Sequence, residues 1–217
     1  MSLRLQSWQR LQALLPFPGG NESSDPRLRG TCFRVRGSAP VNYQFVFPAL
    51  SPTELAALAR ACHELTLNER GLVQSYAAPD LFSWLAQWSD QWQEPLQAGS
   101  LTDERCWLWQ YTHARCRQWY VGAQQMDQTR TSPWPTAWSK EETNLLLCLV
   151  DAVDGLYSRP AALPYLGDRL CQAVDQLQRQ TLFPPERRRW RLDLLHAAAS
   201  WLQAALSGWH QVAALTL

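Results

Sequence analysis

Apolar positions change their period about midway along the chain. Near the amino terminus Leu5, Trp8, Leu11 and Leu15 fall at helical spacing, and Pro16-Phe17-Pro18-Gly19-Gly20 ends the run. Residues 19–30, rich in Gly, Asn, Ser, Asp and Pro, read as a loop. Two strands are expected next, Thr31 to Arg36 and Val41 to Phe47. In the second, Val41, Tyr43, Phe45 and Phe47 alternate with Asn42 and Gln44, the mark of a half-buried strand. Ser51-Pro52-Thr53-Glu54 is a capping box with Pro at the first helical position, so a helix is expected from there to about Leu65. Gly71 to Ala77 is a candidate third strand. Pro79 and Asp80 start another helix, with Leu81, Trp84, Leu85, Trp88 and Trp92 on one broad stripe.

From Asp103 onward the period is helical throughout. One helix is expected from Asp103 to about Ala123, followed by a polar, Pro- and Trp-rich connector from Met126 to Trp138. Ser139-Lys140-Glu141-Glu142 is a second capping box, and Leu145, Leu146, Leu149, Val150, Val153 and Leu156 give its helix a buried face. Pro160 opens a third helix carrying Leu163, Leu166, Leu170, Val174 and Leu177. Pro184-Pro185 breaks it, and a long last helix carries Leu192, Leu195, Ala199, Leu202 and Leu206, with Gly208 as its stop. The expected fold is therefore mainly α: a helical bundle over residues 100–217 behind a small α+β unit over residues 1–99.

Composition narrows the picture further. No apolar run approaches the roughly 20 residues that cross a bilayer, and the amino terminus has no uninterrupted apolar stretch of signal-peptide type. A cytoplasmic protein that does not enter the membrane is the expectation. The six cysteines show no C-x-x-C pair and no ligand spacing with the four histidines, which argues against zinc and, in that compartment, against disulfides. Twelve tryptophans supply large apolar surfaces suited to cores and contacts. Of the twenty basic residues only Lys140 is a lysine. Charge is nearly balanced in both parts: residues 1–100 carry 8 basic and 8 acidic side chains, residues 101–217 carry 12 and 11.

The helix at 103–123 contains Trp109-Gln110-Tyr111-Thr112-His113-Ala114-Arg115. This resembles the V-Q-Y-A-H-A-R segment that begins the anticodon-binding domain of arginyl-tRNA synthetases, Thr112 departing from the family's Ala. The following segments keep the family's order. Glu141 to Leu146 is like its E-x-x-L-L helix, Pro160 to Leu166 is like the segment before its Y-L-x-x-L-A helix, and Arg191 to Ala198 is like its R-L-x-L-x-x-A terminal helix. Residues 100–215 thus resemble the fold called the DALR anticodon-binding domain. The synthetases' catalytic signatures are missing: His63 stands alone where an H-x-G-H pair would be needed, and Lys140 lies within the bundle. The resemblance implies a noncatalytic module that binds the anticodon loop of tRNA, without a cofactor.

Unpaired bases can be stacked on aromatic or guanidinium faces, and their phosphates call for Arg. On that basis Gln110, Tyr111, His113, Arg115, Arg117 and Trp119 are candidate RNA contacts, as are Arg187, Arg188, Arg189, Trp190 and Arg191 at the start of the last helix. Tyr111 and Arg115 at i and i+4 also suit a helix-bracing pair. The Arg run opposes the helix macrodipole by a few tenths of a kcal/mol per residue, so something other than helix stability places it there. The alternative expectation is a protein-interaction or assembly factor that keeps the fold without RNA binding, its partner docking on Trp84, Trp88 and Trp92 if that stripe is exposed.

Overall fold

The computed structural model describes residues 31–35, 41–61, 65–91, 101–124, 138–158, 160–180 and 185–208, with Leu3, Gln6, Ser7, Gln9 and Leu11 near the amino terminus. The chain divides after Asp80 into two units.

The first unit carries strands β1 (Thr31–Val35), β2 (Val41–Val46), β3 (Leu65–Asn68) and β4 (Gly71–Tyr76), with helix α1 (Pro52–Ala61) between β2 and β3. They form one antiparallel sheet in the order β1-β2-β4-β3. Opposite Val41, Tyr43 and Phe45 stand Tyr76, Gln74 and Leu72, so these residues share a face. Tyr76 meets Tyr43 edge-on at 6.1 Å, and its hydroxyl lies 2.5 Å from the Ser7 hydroxyl. The five described amino-terminal residues are helical, with Leu3, Ser7 and Leu11 buried. Leu5, Trp8 and Leu15 of the expected helix lie outside the described residues.

Two expectations are corrected here. The helix expected to reach Leu65 ends at Ala61, and Leu65–Asn68 becomes a strand paired with β4 across a two-residue turn. The Asn68 carboxamide oxygen accepts from the Arg70 backbone N–H at 2.8 Å, and Gly71 supplies φ +135° where a Cβ would strike the Phe45 carbonyl. β2 is also buried on both faces rather than one. It is an inner strand, so Asn42 and Gln44 are covered by neighbours and satisfied there: Asn42 accepts from the Ser75 hydroxyl at 2.7 Å, and Gln44 donates to Asn68 at 2.8 Å.

The second unit holds most of helix α2 (Ala78–Gln91) and four long helices: α3 (Asp103–Gln124), α4 (Lys140–Ser158), α5 (Leu163–Arg179) and α6 (Pro185–Gly208). By contact, α2 therefore goes with the residues that follow it rather than with the first hundred. A single 3-10 turn, Pro160–Ala162, leads into α5, whose Pro164 occupies the first turn where no N–H is required. Both capping boxes form. Ser51 N–H donates to Glu54 at 2.8 Å, and Ser139 N–H donates to Glu142 at 2.7 Å, each Glu N–H reaching back to the Ser hydroxyl.

α3 packs chiefly on α6, and α4 chiefly on α5, with further α3–α5 and α4–α6 contacts. The bundle core is built from Trp109, Leu145, Leu146, Leu149, Leu170, Leu177, Leu195, Trp201 and Leu202, all essentially inaccessible. Trp109 tilts against Trp201 at 5.6 Å, and its indole N–H donates to Asp168 at 3.0 Å. Among the described residues no helix is long and apolar enough to cross a membrane, and no group of His, Cys, Asp or Glu is placed to hold a metal ion.

Candidate nucleic-acid interface

α3 presents two different faces. Arg105 and Trp109 turn toward α5, where Asp168 accepts from the Arg105 Nε at 2.9 Å and from the Trp109 indole. His113, Ala114 and Cys116 are fully buried. On the outer side, successive turns carry Trp107, Tyr111, Arg115 and Trp119. Trp107 stacks on Tyr111 with centroids 5.2 Å apart and planes 10° from parallel. One turn further, the Arg115 guanidinium sits over the Tyr111 ring at 5.6 Å. Residues four apart are neighbours on a helix surface, which is why this stack forms from spacing alone. Trp107 is 62% exposed and Trp119 40% exposed, unusual for indoles.

This stack can offer a flat aromatic face to a ring. Tyr111 is flanked by Trp107 on one side and Arg115 on the other, so the outer surface of Trp107 is the free aromatic face. Gln110 and Arg117 are half-buried on the same helix. His113 is inaccessible, so its ring supports the fold and does not meet a ligand. Trp107 was not among the residues expected from the sequence; its signal was its position one turn before Tyr111.

The Arg run at the start of α6 is arranged differently from the expected phosphate patch. Glu142 is 2% exposed and accepts from Arg187 at 3.0 Å and from Arg191 at 2.7 Å. Arg191 is itself buried and also donates to the Gln180 carboxamide at 3.2 Å. Arg189 is exposed and lies 3.9 Å from Asp193, whose carboxyl burial pushes up to about 6 against the opposing pull of Arg189. Arg188 is half-buried. Trp190 is buried edge-on against Phe82 at 5.1 Å, so it is a packing residue and not a stacking platform. The ion pairs to Glu142 account for Arg187 and Arg191: they brace α6 on the first turn of α4.

The Trp stripe of α2 is not a free surface. Trp84 and Trp88 are buried, because the apolar stripe of an amphipathic helix faces inward; Trp92 lies outside the described residues. Cys32, Cys106, Cys116, Cys148 and Cys171 are buried thiols outside any disulfide, and Cys62 lies outside the described residues. Burial pushes the Cys116 thiol far up and that of Cys171 to about 12, so both stay protonated. Comparison with protein-family models, curated proteins and solved structures finds no match for this chain.

Proposed function

We propose that this chain is a noncatalytic module that binds single-stranded RNA, with the anticodon loop of a tRNA as its ligand. The observation that carries the reading is the stack of Trp107, Tyr111 and Arg115 on α3, exposed at Trp107 and half-buried behind it. An unpaired base would stack on the outer face of Trp107, held flat by Tyr111 behind it. Such stacking contributes about 1–3 kcal/mol per base. Arg115 and Arg117 would answer the flanking phosphates. Arg187 and Arg191 take no part, since both guanidinium groups are turned onto the Glu142 carboxylate. The resemblance to the DALR anticodon-binding domain supports tRNA as the source of the loop.

Fluorescence anisotropy with labelled tRNA at low and moderate salt tests the reading. Micromolar binding at low salt, weakened about tenfold or more by Trp107→Ala, is the expected result. No binding at low salt would count decisively against it.

The ion pairs that hold Arg187 and Arg191 on Glu142 favour one second reading, a protein-interaction factor using the outer face of α3, where Trp107 and Trp119 are exposed. Its mark would be a complex that survives nuclease treatment and is lost in Trp119→Asp.

A further inference from the structure

The outer surface between the start of α4 and the end of α5 holds a cleft of about 820 Å³. Lys140, Thr143, Asn144 and Leu147 line it from α4, and Gln176 and Arg179 from α5. That volume falls within the range of small-molecule sites. Glu141 shares the lining with the two cations. Arg179 donates to Asp175 at 2.8 Å, and the Lys140 charge acts on the neighbouring Glu141 carboxylate, which also bonds to Gln180. With one cation ion-paired and the other next to a carboxylate of the same lining, an anion gains little, and the neutral polar groups carry the chemistry.

What is left over is specific. Asn144 donates through its amino group to the Gln176 carboxamide oxygen at 3.2 Å. This links the two amides and leaves the Gln176 amino group as a donor and the Asn144 oxygen as an acceptor, with the Cys148 thiol near that oxygen at 4.0 Å among the described residues. The Thr143 backbone N–H serves the helix, while its hydroxyl adds a group that can donate or accept. Leu147 supplies an apolar side chain to the lining. A donor, an acceptor, a hydroxyl and an apolar side chain in one cleft are the groups that the edge and face of a planar heterocycle call for, as Asn and Gln match base edges elsewhere.

From this lining we propose that the α4–α5 cleft is a second recognition site, taking one unpaired nucleobase as a neutral hydrogen-bonding ring. It rests on the RNA-binding reading only for the source of that base.

The test titrates uncharged nucleosides, and ribose 5-phosphate as a control, into isotope-labelled full-length protein. NMR follows the side-chain amides of Asn144 and Gln176 and the methyls of Leu147. Saturable shifts with nucleosides, weakened about fivefold by Gln176→Leu or Thr143→Val and unchanged in Trp107→Ala, are expected. Equal shifts with ribose 5-phosphate, no shifts, or shifts indifferent to both cleft variants would overturn the site. A parallel titration with a short oligoribonucleotide separates the two readings. If nucleosides fill the cleft and the oligoribonucleotide does not bind, RNA binding falls and the cleft stands. If Trp107→Ala abolishes oligoribonucleotide binding and Gln176→Leu leaves it and the nucleoside shifts alone, the cleft falls and RNA binding stands.

Discussion

Gly167 on α5 lies directly against the indole of Trp109 on α3, and a Cβ at that position would overlap the six-membered ring. The indole cannot yield, since it is inaccessible, tilted against Trp201 and fixed through its N–H to Asp168. Gly167→Ala should therefore destabilise the bundle by about 1–3 kcal/mol or more, although alanine favours helices elsewhere. Urea unfolding at constant m-value would measure this, and a stabilised variant would refute the packing argument.

The four arginines of the α6 start should separate sharply in their effects. Glu142→Ala leaves Arg191 buried without its carboxylate, a loss of about 3–5 kcal/mol. Arg189→Ala removes an exposed pair at 3.9 Å and should change stability by less than about 1 kcal/mol. Thermal unfolding of the two variants side by side gives the comparison. Similar shifts in both would show that Glu142 is not the anchor.

Asp193 makes stability depend on pH. Its carboxyl ionises near 3.9 in an unfolded chain and near 6 in the fold, where burial disfavours the charge. The raised value favours the folded state below about pH 4, and that contribution is lost as pH rises through 6. The side chain is 34% exposed, so the effect is discounted to about 1 kcal/mol. Asp193→Asn should flatten the stability profile between pH 4 and 7, read by unfolding at several pH values.

The buried thiols should be silent until the protein opens. Cys116 and Cys171 should react with an aromatic disulfide reagent only at the rate of unfolding, and fully in denaturant. Fast labelling of either cysteine in the native state would contradict their burial.

Trp107 offers a contrast between stability and binding. Being 62% exposed, it should tolerate replacement by Ala with a loss under about 1 kcal/mol, mostly its contact with Tyr111. A stable variant with unchanged RNA affinity would remove the stack from the interface.

Periodicity and capping made most of the bundle legible: α3 to α6 lie where Asp103, Ser139, Pro160 and Pro184-Pro185 mark them. The β3–β4 hairpin was not legible, because Asn68-Glu69-Arg70-Gly71 lacks an Asn-Gly turn pair and Leu65-Thr66-Leu67-Asn68 is too short to show a period. The site was legible in part. Tyr111 and Arg115 were found from their motif. The fate of Arg187 and Arg191 depends on Glu142, 45 and 49 residues earlier, and no local pattern exposes such a pairing. Trp107 was hidden for the opposite reason: among twelve tryptophans, exposure is a tertiary property.

Glu142 joins a contact made three residues away to one made nearly fifty residues away. The first closes within the opening turn of α4; the second waits until the chain has reached Arg191. A chain cut short of α6 would therefore keep the cap of α4 and leave its carboxylate without Arg187 and Arg191.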